Sequence, residues 1–115
     1  MDDLLSIKAY ASREAVPIMQ DEGCDFICDY IKEHSCKNIL EIGTAIGYSS
    51  IRFAKLADDI HVTTIELDID RHIKAVENFE EQLDNLKKLI ATQDANGLKS
   101  LLTDVREKRI AMQKN

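Results

Sequence analysis

The stretch that decides the fold is ILEIGTAIGYSS, Ile39–Ser50. Asn38–Ile42 is a short apolar run with β-branched residues, which predicts a buried parallel strand. Gly43 and Gly47 follow in the pattern G-x-x-x-G, and helical periodicity then runs over Tyr48–Leu56. A strand that ends in glycine and enters a helix directs backbone N–H groups at whatever lies above the sheet edge. The loop is therefore the candidate ligand site.

The loop narrows the classes of ligand. It lacks the middle glycine of G-x-G-x-x-G, which leaves less room for a dinucleotide pyrophosphate, and it lacks the G-K-[S/T] of a P-loop. By itself it is also consistent with a strand-to-helix turn that binds nothing. Glu66 ends a second predicted strand, Ile60–Leu67, where a carboxylate can accept hydrogen bonds from ribose hydroxyls. The two features together favour an adenosine-containing ligand over a solvated carboxylate at a strand end.

Helical periodicity predicts three further elements around these strands. They are a helix over residues 3–13, a helix from about Asp21 to about His34, and a helix over residues 68–83. The second helix is predicted to bury Phe26, Ile27, Tyr30 and Ile31, and the third to bury Ile69, Ile73, Val76 and Phe79. Asp68 or Asp70 is the candidate cap of the third helix.

The C-terminal part has two interpretations. Residues 80–113 form two helices broken near 94–97, or Leu86–Thr92 is a third strand followed by a helix over about 97–111. In both cases the last helix has an apolar face made of Leu98, Leu101, Leu102 and Val105.

Composition excludes several classes of protein. The length of 115 residues fits one domain, and the net charge of −6 argues against a broad basic face for nucleic acid. No run of about 18 apolar residues and no signal-like N-terminus is present, so we expect a cytoplasmic protein without a membrane contact. Cys24, Cys28 and Cys36, with His34, lack the second pair of a structural zinc site, and reduced thiols are expected.

ILEIGTAIGYSS, followed by VTTIELD, resembles the class I S-adenosylmethionine-dependent O-methyltransferases. The likeness is to the branch with catechol and caffeoyl-CoA methyltransferases and the bacterial enzymes that methylate 5-hydroxyuridine in tRNA. EAVPIMQDEGCDFI, Glu14–Ile27, resembles the N-terminal segment of that bacterial branch. The resemblance covers residues 5–79 well and 80–103 loosely, and it favours the third strand.

The resemblance implies an α/β fold: a Rossmann-like methyltransferase half-fold of two to three parallel strands, flanked by helices, with N-terminal helices and a C-terminal helix. It would form one domain, 1–115, with an N-terminal helical segment 1–36, a βαβ core 37–79 and a C-terminal part 80–115. The implied cofactor is S-adenosylmethionine or S-adenosylhomocysteine, and the implied chemistry is attack of a deprotonated hydroxyl oxygen on the sulfonium methyl group.

The resemblance also implies a set of cofactor-binding residues. The methionine and ribose side would be formed by Glu41, Gly43, Thr44, Ala45, Gly47, Tyr48 and Ser49. Glu66 would hold the ribose, Asp94 and Ala95 would border the adenine, and Met19 would cover the cofactor.

The sequence departs from the family in its C-terminal part. Family members are longer, and their later aspartate and asparagine residues bind a divalent cation; here Asp104 is the only late aspartate, within a helical pattern. His34, His61 and His72 are scattered, so no catalytic residue and no divalent metal site are assigned. The expectation is a cofactor-binding half-domain that does not catalyse alone. The alternatives are a non-catalytic assembly module with a vestigial loop and a small nucleotide- or dinucleotide-binding protein.

Strand 38–42 would have an unpaired apolar edge in such a half-fold, which invites association. We therefore expect a homo-oligomer formed through this exposed sheet edge. A tRNA partner follows from the family likeness only, and the acidic charge balance gives it no support.

Overall fold

The computed structural model describes residues 4–94, 96, 103, 104, 106 and 107. Helices and strands alternate along most of this part of the chain. In order they are α1 Leu4–Arg13, α2 Asp21–Glu33, β1 Asn38–Ile42, α3 Tyr48–Ala54, β2 His61–Ile65, α4 Ile69–Gln82 and β3 Leu89–Thr92. The predicted α/β class is confirmed.

The three strands form one parallel sheet in the order β1-β2-β3. Asn38 lies opposite His61 where β1 pairs with β2, and Val62 lies opposite Leu89 where β2 pairs with β3. The sheet confirms the Rossmann-like half-fold, and it confirms the third strand in place of a helical hairpin.

The third strand is shorter than the predicted Leu86–Thr92. Leu86–Lys88 form a 3-10 turn instead, with the Asn85 side chain accepting a hydrogen bond from the Lys87 amide at 3.0 Å. Local capping therefore delays the strand to Leu89. The apolar face predicted for the last helix lies outside the described residues, and the division of the domain at residues 36 and 79 stays a prediction.

The helices pack on one face of the sheet. Val62 of β2 is buried with Phe53 and Ala54 of α3, and Leu89 and Ala91 of β3 pack on a core that contains residues of α3 and α4. On the opposite face Ile42 is 65% exposed and Ile90 is 61% exposed. Ile65 of the middle strand lies on this second face too and is 4% exposed. Among the described residues, the helices therefore cover one face of the sheet, the other face is exposed at its outer strands, and β1 is an edge strand as expected.

The predicted apolar face of α2 is wrong in two of its four positions. Phe26 is 72% exposed and Tyr30 is 51% exposed, whereas Cys24 and Cys28 are buried beside Ile31. The small thiols allow α2 to approach α3 closely, which an aromatic ring would prevent. Tertiary packing has overridden the helical periodicity.

The predicted face of α4 is also wrong at its start. Ile69 is 60% exposed and Ile73 is 49% exposed, because the part of α4 that packs on the core begins at Ala75. The cap is confirmed as Asp68, whose carboxylate accepts a hydrogen bond from the Arg71 amide at 2.9 Å. The Asp68 cap fixes where α4 begins after β2.

None of the helices within the described ranges is long and apolar enough to cross a membrane.

Candidate functional site

The loop between β1 and α3 is a tight turn with three residues at positive φ. Gly43 has φ of 92°, Ala45 of 50° and Gly47 of 93°. The amides of Gly43 and Thr44 both donate to the Ile65 carbonyl, at 2.8 and 3.2 Å, so the loop folds over the carboxyl end of β2. The backbone is thereby fixed before any ligand arrives.

Glu66 fastens this loop to the next strand. One carboxylate oxygen accepts the Ala45 amide at 2.7 Å, and the other accepts the Asp68 amide at 3.1 Å. A carboxylate offers about four acceptor positions, so two remain for a ligand. Glu66 lies where the sequence predicts a ribose-binding acid, and it also shapes the loop.

Glu41 accepts hydrogen bonds from three hydroxyl groups beneath the loop. Its carboxylate accepts hydrogen bonds from Ser49, Ser50 and Thr64, the last at 2.8 Å, and the hydroxyls of Thr44 and Thr64 are 2.5 Å apart. These hydroxyls hold the carboxylate in one orientation beside the loop. An acidic group in this position favours a ligand that carries positive charge nearby.

A cavity of about 320 Å³ lies above the loop. Roughly 300 to 1,000 Å³ is the ordinary range for a small-molecule site. One wall is the segment between α1 and α2, and the other is the end of β1 with the loop and the start of α3. The lining residues are Pro17, Ile18, Met19, Glu41, Ile42, Gly43, Thr44, Ala45, Tyr48 and Ser49.

Tyr48 connects the two walls. Its side chain is 5% exposed, and its hydroxyl donates to an Asp21 oxygen at 2.5 Å. Lys8 donates to the other Asp21 oxygen at 2.7 Å. Burial, and then the hydrogen bond to Asp21, raise the pKa of Tyr48 to about 12, so the phenol stays protonated at neutral pH. Sequence reasoning missed Asp21; its position two residues after Met19, within the Glu14–Ile27 segment, was the available signal.

Seven of the eleven predicted cofactor-binding residues line this one cavity. They are Met19, Glu41, Gly43, Thr44, Ala45, Tyr48 and Ser49. Gly47 faces the core instead, since a Cβ there would lie 2.5 Å from the Phe79 ring. Glu66 borders the loop from β2.

Asp94 lies at the same edge of the sheet. The Glu66 amide donates to the Thr92 carbonyl at 3.0 Å, and Asp94 follows two residues later, exposed. Its carboxylate accepts the Asn96 amide at 2.9 Å. Ala95 lies outside the described residues.

The cysteines and histidines form no ligand set in the described part of the chain. No group of three or more His, Cys, Asp or Glu side chains there could hold a metal ion. Burial raises the pKa of Cys24 to about 12, and that of Cys28 also rises, so both thiols are protonated at neutral pH. The His34 ring stacks on Tyr30 with centroids 4.0 Å apart.

Comparison with known proteins identifies the family. Residues 1–112 match the family described as O-methyltransferase. The chain therefore belongs to the O-methyltransferase family.

Solved structures agree with this assignment. The structure of a putative caffeoyl-CoA O-methyltransferase from Staphylococcus aureus is 36% identical, with a TM-score of 0.75, over 83% of this chain and 46% of that one. The O-methyltransferase from Bacillus cereus in complex with SAH is 28% identical, with a TM-score of 0.71, over 90% and 48%. TomG from Streptomyces achromogenes, in complex with SAM, is 26% identical, with a TM-score of 0.70, over 85% and 46%. The chain spans about half the length of these proteins.

Proposed function

We propose that the chain binds S-adenosylmethionine or S-adenosylhomocysteine in the cavity above the Gly43 loop, as the cofactor-binding half of an O-methyltransferase. The observation that carries the proposal is the open space at Gly43: a Cβ built there would meet nothing within 4 Å, although the residue lies in the cavity wall. Gly43 has a backbone angle that favours glycine, and its Cα faces the empty cavity. A ligand can therefore approach the loop backbone closely at this position.

The residues around the cavity fit the parts of such a cofactor. Glu41 supplies negative charge beside Tyr48 and Ser49, which suits the ammonium and sulfonium groups of the methionine end. Glu66 has acceptor capacity left for the ribose hydroxyls. Asp94 lies at the same sheet edge, on the side predicted for adenine.

The bound cofactor would supply an activated methyl group for transfer to a hydroxyl acceptor. The described residues contribute binding and orientation, which hold the methyl donor in one direction for an acceptor. No catalytic base and no divalent metal site is assigned to these residues. The acceptor, a tRNA partner and the cytoplasmic location stay predictions.

Calorimetric titration of the folded chain with S-adenosylhomocysteine tests the proposal. We expect one saturable site of micromolar to sub-millimolar affinity, and no binding of NAD. Glu66→Ala should weaken binding about tenfold, which is ~1.4 kcal/mol. Glu80→Ala, an exposed carboxylate on α4, is the matched control and should leave the affinity unchanged. A folded chain that binds no S-adenosylhomocysteine contradicts the proposal.

The open edge of β1 supports a second candidate, an assembly module in which two copies pair through this strand. An antiparallel pair centred on Leu40 would set Ile39 opposite Glu41 of the other copy, so no like charges face each other. Ile42, which is 65% exposed, would then be covered in part.

Light scattering at micromolar concentration tests this assembly. A dimer is expected, and Ile42→Lys on β1 should dissociate it, because a charged side chain blocks pairing at a sheet edge. Ile90→Lys is the matched control, since Ile90 is 61% exposed on the same sheet face but belongs to β3. A monomeric wild-type chain, or a dimer that only Ile90→Lys dissociates, contradicts the pairing through β1.

A further inference from the structure

Asp21 lies at the junction of three helices beside the cavity. It is the first residue of α2 and lies two residues after the Pro17–Met19 wall. One carboxylate oxygen accepts the Tyr48 hydroxyl of α3 at 2.5 Å, and the other accepts the Lys8 ammonium of α1 at 2.7 Å. A single side chain therefore joins α1, α2 and α3 at the cavity.

The wall between α1 and α2 has few other attachments. Before it, the Val16 amide donates to the Ala11 carbonyl at 2.9 Å. Within Pro17–Met19, no backbone hydrogen bond to another described segment holds the chain, and Pro17 has no N–H. Ile18 and Met19 pack on the core with half-buried side chains. The wall is thus held by side-chain packing and by the bonds at its two ends.

The hydrogen bonds of Asp21 to Lys8 and to Tyr48 differ in how firmly they hold the Asp21 side chain. The Lys8 and Asp21 side chains are 38% and 51% exposed, and exposed ion pairs contribute little to stability. Tyr48 is 5% exposed and belongs to the buried core, so packing already holds the ring and its hydroxyl in place. A hydrogen bond to a side chain that is already held costs less conformational entropy than one that must order a long exposed lysine. The bond to Tyr48 is therefore the more important of the two.

We propose that Asp21 is a positioning residue for the cofactor cavity. Through Tyr48 it holds the Pro17–Met19 wall at a fixed distance from the glycine loop, and it acts on the ligand through that wall without contacting it. This inference rests on the proposed cofactor binding, and it adds a residue that the loop motif does not contain.

A second acid–base contact between the same helices provides a matched control. Arg52 of α3 donates to Asp25 of α2 at 2.5 Å, one helical turn after the Tyr48–Asp21 bond. Asp25 and Arg52 are absent from the cavity lining. If the joining of α2 to α3 were all that mattered, loss of Asp25 and loss of Asp21 would have the same effect on the ligand.

Three variants, Asp21→Ala, Asp21→Asn and Asp25→Ala, separate these roles by titration with S-adenosylhomocysteine. Asp21→Ala should weaken binding about tenfold, and Asp25→Ala should leave it within about twofold. Asp21→Asn keeps an oxygen that can accept the Tyr48 hydroxyl, so it should recover most of the affinity. Equal losses in the two alanine variants, or an asparagine variant as weak as Asp21→Ala, overturn the inference.

A measurement without ligand keeps this test separate from that of cofactor binding. NMR relaxation of the Met19 methyl group reports the order of the wall in the free chain. Asp21→Ala should lower its order parameter, whereas Asp21→Asn and Asp25→Ala should not. An unchanged Met19 methyl group in Asp21→Ala overturns the inference, whether or not the wild-type chain binds S-adenosylhomocysteine.

Discussion

The two ends of the glycine loop have the same residue and nearly the same φ, but they have different surroundings. Gly43 has φ of 92° and Gly47 of 93°. A Cβ at Gly47 would lie 2.5 Å from the Phe79 ring, and one at Gly43 would meet nothing within 4 Å. Packing therefore requires glycine at position 47, whereas at position 43 the backbone angle requires it and the space beside it is empty, which the proposed cofactor would fill.

The hydrogen bonds of the loop also differ between its core side and its cavity side. On the core side the buried Asn78 amide of α4 donates to the Ile46 carbonyl at 2.8 Å. On the cavity side Glu66 accepts the Ala45 amide at 2.7 Å. The loop therefore has a core half, Ile46 and Gly47, and a cavity half, Gly43–Ala45. Substitutions in the core half should change stability, and those in the cavity half should change ligand affinity.

Gly47→Ala should have the largest effect. The new methyl group overlaps Phe79, a ring that is 2% exposed, and the residue keeps a left-handed φ. Overpacking and backbone strain together should cost about 3 kcal/mol of unfolding free energy. Urea unfolding followed by circular dichroism measures it. A loss below about 1 kcal/mol would mean that the ring can rearrange.

Asn78→Ala should come next. It leaves the buried Ile46 carbonyl without its partner, at a cost of about 2 kcal/mol in the same unfolding experiment. The affinity of the remaining folded protein for S-adenosylhomocysteine should be unchanged. A large loss of affinity at temperatures where the variant is folded would contradict the division of the loop into two halves.

Gly43→Ala should reduce ligand affinity more than it reduces stability. Strain at positive φ should cost about 1 to 2 kcal/mol of stability, because no neighbouring atom is in the way. Affinity for S-adenosylhomocysteine should fall by more than about tenfold, since the methyl group occupies the ligand's space. Titration and unfolding on one preparation compare the two; unchanged affinity would show that no ligand approaches Gly43.

Ala45→Gly should have the smallest effect. Glycine relieves the strain of a φ of 50°, by about 1 kcal/mol, but it also increases the entropy of the unfolded chain by a similar amount. Unfolding free energy should therefore stay within about 0.5 kcal/mol of the wild type. A loss above about 1 kcal/mol would show that the Ala45 methyl group packs against the loop.

Local sequence signals were sufficient for the framework. Asn38–Ile42 is a strand with the predicted bounds, and Asp68 caps α4, because both depend on neighbouring residues. The faces of α2 and α4 were not predictable in the same way. Periodicity identifies an apolar stripe on α2, but the exposure of Phe26 and the burial of Cys24 depend on where α3 lies.

In the candidate site, too, some features follow from local sequence and others depend on tertiary packing. The glycine pattern and Glu66 pointed to the loop, since their spacing is characteristic of the sequence motif. The Tyr48–Asp21 bond joins residues 27 apart, and no local pattern reveals it. The different surroundings of Gly43 and Gly47 depend on Phe79, which comes from another helix.

The most direct test of cofactor binding at this loop is a ¹⁵N–¹H correlation spectrum recorded during titration with S-adenosylhomocysteine. We predict saturable shifts at the amides of Gly43–Ala45, Met19, Ser49 and Glu66, and small shifts at Phe79 on the core side. No saturable change, or changes confined to residues away from the loop, would contradict the claim that this loop is a cofactor site.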